Sequence, residues 1–189
     1  KFGIGGEFLS IPFKGIYWQL KKDSKINIQT NVYPVPELSV PFLGVHFTPN
    51  FNNSIISIGP TATPAFGKEN YKGIEFFDPL LTIRSIGLIS KQYILNKNYF
   101  RNYVHSQAFL SIPNLFFKSA RKLIPSLSKK DIELSSKVGI RSQLFNIKSS
   151  VLENDFVCIT EGNSTHVLNA VSPAFTASFE LADLIIKKS

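Results

Sequence analysis

Residues 43–59 read LGVHFTPNFNNSIISIG, and the middle of this stretch behaves differently from its two ends. Leu43-Gly44-Val45-His46-Phe47-Thr48 and Ser54-Ile55-Ile56-Ser57-Ile58-Gly59 are rich in β-branched and aromatic side chains, which suit a pleated surface. Between them, Pro49-Asn50-Phe51-Asn52-Asn53 collects residues that tolerate turn conformations. The pattern predicts a β-hairpin, and with it an antiparallel sheet.

On the N-terminal side, Lys14–Leu20 and Ile26–Val32 surround the polar run Lys21-Lys22-Asp23-Ser24-Lys25, which predicts two further strands paired through a turn. Tyr33-Pro34-Val35-Pro36 follows; each proline lacks an N–H and fixes φ, so this stretch belongs at an edge or outside the ladder. On the C-terminal side, from Asp78 to about Leu127, apolar residues recur at three and four spacing (Leu80, Leu81, Ile83, Ile86, Leu88), which predicts several short helices. Asp78-Pro79 reads as a cap and first turn. Pro113-Asn114 offers a break and a cap before Leu115, Phe116, Ala120 and Leu123, and Pro125 stops that helix. Strands return at Val138–Ser142 and Phe156–Ile159. A closing helix is expected with Ser172 as cap and Pro173 in the first turn, and with Ala174, Phe175, Ala177, Ser178, Leu181, Ala182 and Ile185 on one face. The fold class read from this order is α+β: a sheet over residues 11–66, helices over 78–127, and a division between a region 1–137 and a C-terminal segment 138–189.

A chain of 189 residues with 43% hydrophobic content can bury a real core. It holds no run of 18 or more apolar residues, which argues against a membrane-spanning helix. Cys158 stands alone, so neither a disulfide framework nor a cysteine-based metal cluster is available; a structural buried thiol in a cytoplasmic setting fits. His46, His105 and His166 are far apart in sequence and no ligand spacing joins them, so no metal site is expected. Gly3-Ile4-Gly5-Gly6 has the wrong spacing for a dinucleotide fingerprint, and neither a P-loop nor a Gly-x-Ser-x-Gly elbow exists. The net charge of +8 and pI near 9.6 raise nucleic acid or an anionic membrane as partners. The lysines are scattered in twos (Lys21-Lys22, Lys129-Lys130, Lys187-Lys188) without a nucleic-acid-binding signature, so no nucleic acid is expected. Peripheral contact with an inner membrane stays open, although no amphipathic basic helix is legible to support it. The chain lacks methionine and shows no leader over Lys1–Phe8, which reads as an internal start.

Several strings carry a resemblance in a fixed order: Tyr33-Pro34-Val35-Pro36, Phe42-Leu43-Gly44-Val45-His46, Gly59-Pro60 with Ala65-Phe66, Gly139-Ile140-Arg141, and His166-Val167-Leu168-Asn169-Ala170 running into Ser172-Pro173-Ala174. From Ile11 onward the chain resembles the L-2-hydroxyglutarate oxidase/dehydrogenase family, flavoenzymes of the D-amino-acid-oxidase type. The resemblance implies an antiparallel substrate-binding sheet, and a C-terminal strand and helix that complete a flavin-binding domain missing from this chain. It implies FAD as cofactor, a missing N-terminal FAD-binding half as partner, and oxidation of a small 2-hydroxy acid such as L-2-hydroxyglutarate by hydride transfer. Lys14 and Ile16 depart from the Arg and Glu or Gln of the family, and Val171 from its usual proline.

Such an oxidation needs a base, a hydride acceptor and a clamp for carboxylates. His46 is expected as the base, because imidazole titrates near neutrality, with a hydrogen-bonded structural histidine as the competing reading. Arg141 is expected to grip a carboxylate with its guanidinium, with a surface ion pair as the alternative. Tyr33 is a further donor to substrate. His166, Asn169, Ser172, Pro173 and Ala174 are expected against the flavin, where a helix N-terminus favours negative charge; an ordinary capped helix is the plainer reading. His105 reads as a surface residue. The alternative function is a non-catalytic remnant or binding module of a split or truncated gene. Strands whose partners lie elsewhere would expose an apolar face and favour self-association.

Overall fold

The computed structural model describes residues 3–35, 44–50, 52, 54–171 and 174–188. Its spine is a pair of long antiparallel strands, β1 (Phe8–Leu20) and β5 (Ile132–Asn146), paired from Phe8 opposite Asn146 to Leu20 opposite Ile132 with a register shift between Ile16 and Trp18. The hairpin expected from residues 43–59 is present as β2 (His46–Asn50) and β3 (Ile55–Gly59), with His46 opposite Gly59 and Phe47 opposite Ile58. With the short β4 (Thr63–Pro64) and β6 (Val151–Leu152), these make a six-stranded antiparallel sheet of order β2-β3-β1-β5-β6, in which β4 also pairs with β1. A separate two-stranded sheet holds β7 (Val157–Glu161) and β8 (Ser164–Asn169).

The expected pairing of Lys14–Leu20 with Ile26–Val32 is not what forms. The first segment lies within β1, which pairs with β5, β3 and β4, while only Val32 of the second makes a bridge, exchanging backbone hydrogen bonds of 3.0 and 2.9 Å with Phe47. Packing explains the outcome. Ile28 is buried, with Ile26 and Val32 packed around it, in a cluster with Leu20, Phe47, Ile58, Phe116 and Leu127, so the segment works as a core plug. A strand more than a hundred residues away offers β1 a longer ladder than a local turn could.

Three helices follow: α1 (Pro79–Leu95), α2 (Phe100–Leu110) and α3 (Pro113–Leu123). Asp78 caps α1 as expected, its carboxylate accepting from the Leu81 N–H at 2.9 Å, with Pro79 in the first turn. In α3 the residue before the helix is Ile112, not Asn114, which lies inside its first turn; the helix ends at Leu123, ahead of Pro125. Phe116, Phe117 and Ala120 of α3 pack on the first core cluster. Phe100 and Tyr103 of α2, with Leu88 and Ile89 of α1 at the margin, pack on a second one around Ile11, Phe13 and Phe145.

The last helix, α4, runs over Ser178–Lys188 and so starts later than the expected cap at Ser172. Ser172 and Pro173 lie outside the described residues, and Ala174–Ala177 form turns in which the Ala174 N–H donates to the Val171 carbonyl at 2.8 Å. Phe175 and Phe179 are 94% and 90% exposed. A short helix depends on burying its apolar face, and this one meets little to bury it against, which shortens it. The division drawn between residues 137 and 138 falls inside β5.

Candidate active site

Where β2 begins, strand alternation separates two neighbours. Phe47 is fully buried under α3, so His46 turns to the opposite face of the sheet. The His46 ring lies 4.8 Å from that of Tyr33, at 34° between planes. Its Nδ1 is 2.9 Å from the Gly44 carbonyl. A carbonyl only accepts, so neutral His46 carries its proton on Nδ1 and presents Nε2 as the basic atom. Burial lowers the imidazole's tendency to protonate; the Gly44 hydrogen bond opposes this, and the positive charges of Arg141 and Lys137 reinforce it. His46 is therefore held as the neutral, proton-accepting form.

Glycines give the neighbouring backbone its close approach. Across from His46, Gly59 adopts φ +133°, a conformation that side chains rarely take, and its missing Cβ would face the Ile16 carbonyl and Tyr17. At Gly15, a Cβ would lie 2.7 Å from Cβ of Pro60, whose peptide bond with Gly59 is cis. Thr61 locks this crossing: its N–H donates to the Ile16 carbonyl at 3.1 Å, and its hydroxyl accepts from the Ile16 N–H at 3.2 Å. Next to Gly15 on β5 stands Gly139, against the Tyr17 ring, and the Lys137 ammonium sits 4.5 Å from the centre of that ring. Arg141, half-buried opposite Phe13, is near enough to act electrostatically on both His46 and Tyr103.

His46, Tyr33 and Arg141, the residues expected at the chemistry, thus surround one part of the sheet, with Tyr33 and His46 in ring contact and Arg141 coupled through charge. Lys137 and Tyr17 join them and were not singled out from sequence; the only legible signal was their place beside the Gly139-Ile140-Arg141 string and the β1 segment. Asn70 was also missed. It is fully buried and holds the 66–75 loop, its amide donating to the carbonyls of Gly73 (2.9 Å) and Glu75 (2.7 Å) while its oxygen accepts from Lys14 Nζ (2.8 Å) and the Phe66 N–H (3.3 Å). Lys14, a departure from the family pattern, therefore serves that loop.

Of the residues expected against a cofactor, His166 and Asn169 belong to the β7–β8 hairpin. His166 is in β8, opposite Ile159, with Nε2 2.9 Å from the Ser164 hydroxyl. Asn169 is buried and donates to the Asp155 carbonyl at 2.7 Å, tying off its own hairpin. Leu168 of the same strand fills the space at Gly5, where an added Cβ would lie 2.9 Å away. Ile4–Glu7 form turns that lead into β1 with no helix behind them, so the described residues build no cradle for a dinucleotide pyrophosphate. His105 on α2 is exposed, 3.0 Å from the Tyr93 hydroxyl, and Cys158 is half-buried in β7. Among the described residues no group of three or more His, Cys, Asp or Glu could hold a metal ion, and no helix is long and apolar enough to cross a membrane.

No protein-family model matches the chain. Individual proteins do. L-2-hydroxyglutarate dehydrogenase, mitochondrial, of Bos taurus is 36% identical over 182 residues, which cover 93% of this chain and 38% of that protein. L-2-hydroxyglutarate dehydrogenase of Indibacter alkaliphilus is 33% identical over 178 residues (93% and 43%), and that of Escherichia coli K12 is 28% identical over 188 residues (98% and 43%). Matched by them along nearly its whole length, the chain is a homologue of the L-2-hydroxyglutarate dehydrogenases and spans about two fifths of their length.

Proposed function

We propose that the chain is the C-terminal, substrate-facing portion of an FAD-dependent oxidoreductase that oxidises a small 2-hydroxy acid such as L-2-hydroxyglutarate. The observation that carries this reading is His46, fixed in its Nδ1–H form by Gly44 and kept neutral by burial, with two cations nearby adding to the effect. Its Nε2 takes the proton of the substrate hydroxyl. Arg141 and Lys137 attract the two carboxylates, and Tyr33 bounds the imidazole on one side. Burial chiefly, and the two cations to a smaller degree, depress His46 in the free protein; the share due to the cations is offset when a dianion binds, so the base strengthens as its substrate arrives. FAD would supply the hydride acceptor and must be held largely by residues outside this chain, since the described ones form no pyrophosphate cradle.

A second reading, a non-catalytic binding module, draws support from Asn169, whose amide is spent inside its own hairpin. The two separate in one assay. The chain is combined with FAD and a polypeptide supplying the remaining length of its homologues, and L-2-hydroxyglutarate-dependent reduction of a dye is followed. Turnover is expected, and His46→Gln is expected to lower it at least about 100-fold with flavin absorbance retained. Bound flavin without turnover would favour the binding module; unchanged turnover in His46→Gln would remove the base.

A further inference from the structure

We infer that Lys137 is a specificity-determining residue that grips the distal carboxylate and so selects 2-hydroxy diacids over 2-hydroxy monoacids, an inference that rests on the proposed 2-hydroxy-acid oxidation. A bulge puts it there. From Ile16 to Trp18, β1 advances two positions while β5 runs back four, from Val138 to Leu134, so residues 135–137 stand out of the ladder opposite Tyr17. Ser135 fixes the bulge from both sides: its hydroxyl accepts from the Lys137 N–H at 3.2 Å and donates to Gln19 Oε1 at 2.9 Å. The backbone beneath Lys137 is therefore set before any ligand arrives, and its ammonium is held 4.5 Å from the centre of the Tyr17 ring.

Spacing along β5 supplies the selectivity. Gly139 and Arg141 follow Lys137 at alternate positions, and a Cβ on Gly139 would lie 3.8 Å from the same Tyr17 ring, which puts Lys137 and Gly139 on one face. Four extended residues span roughly 13 Å, so two long cationic side chains flank a gap that Gly139 leaves open. Gap and cations match a short acid charged at both ends. Arg141 acts more strongly than Lys137 on the His46 imidazole, which gives it the carboxylate beside the reacting hydroxyl and leaves Lys137 the far one. Lys137 is exposed and Arg141 half-buried, and among the described residues neither is paired with a carboxylate. A monoacid of the same length offers Lys137 only a methyl group.

The test is turnover by the flavin-reconstituted assembly of L-2-hydroxyglutarate and of L-2-hydroxyvalerate, the same five-carbon chain ending in a methyl group. The parent should prefer the diacid. Lys137→Gln should lower the ratio of the two kcat/KM values, diacid over monoacid, about tenfold, with the loss falling on KM for the diacid. Lys137→Arg, which keeps the charge, should retain the preference. The position is exposed, and unchanged thermal unfolding verifies that both variants fold. No preference in the parent, a preference that survives Lys137→Gln, or an equal loss on both acids overturns the inference and leaves the proposed oxidation standing. No turnover of either acid by the parent overturns the proposed oxidation, and the inference with it.

Discussion

Replacing Gly15 with alanine places a methyl group where the chain has no room for one. The new Cβ would lie 2.7 Å from Cβ of Pro60 and 3.2 Å from the Thr61 carbonyl oxygen. Neither is the end of a flexible side chain, so either β1 or the Gly59-Pro60-Thr61 crossing must move by several tenths of an ångström. Overpacking of this kind costs roughly 1–3 kcal/mol, partly offset by the roughly 0.4–1 kcal/mol an alanine contributes by restricting the unfolded chain. At about 2–4 °C per kcal/mol for a chain of this size, the melting temperature should fall by a few degrees. Because Gly59 stands opposite His46, the displacement also reaches the imidazole, whose ring resonances should shift. Gly139→Ala is the internal control: its Cβ would meet the Tyr17 ring at 3.8 Å, an ordinary contact, and the loss should be small. Calorimetry and NMR of both variants decide the matter. A Gly15→Ala protein melting at or above the parent, or a Gly139→Ala protein losing as much, would refute the steric reasoning.

Asp78→Ala removes the cap of α1 and should cost about 1 kcal/mol in denaturant unfolding, with Asp78→Asn restoring most of it. Asn70→Ala removes the buried amide that donates to the Gly73 and Glu75 carbonyls and should cost about 1–2 kcal/mol, more than Asn98→Ala at an exposed position. His46 protonates less readily in the folded chain than in the unfolded one, so the unfolded state binds more protons once the pH drops below about 6.5. Its contribution is fully present above that pH and is lost as pH falls towards the depressed folded value. In unfolding measured across pH 7 to 5, His46→Gln should flatten that part of the profile, and an unchanged slope would count against a buried neutral imidazole.

What could be read in advance was what neighbours in sequence decide. The 43–59 hairpin, the Asp78-Pro79 helix start and the stop before Pro125 each rest on residues within a few positions of one another. The partner of β1 could not be read this way, because β5 lies beyond three helices and the choice depends on which ladder buries more of Ile11, Phe13 and Leu20. The periodicity of α1 was legible, but its direction was not: apolar and polar stripes look alike in sequence until the core shows which one faces in. At the candidate site, His46, Tyr33 and Arg141 stood out from their strings, whereas Lys137 gains its place from a ring on another strand. The late start of α4 follows from Phe175 and Phe179 having little to pack against, a property of the surroundings and not of the helix itself.

The proposed oxidation rests on His46 as a neutral base that dianionic substrate makes stronger. An NMR titration of its imidazole in the 189-residue chain, with and without L-2-hydroxyglutarate, tests this directly. The expected result is a midpoint below the ordinary histidine value in the free chain that rises when the dianion binds, with a smaller rise in Arg141→Gln. An ordinary midpoint that ignores the ligand would contradict it.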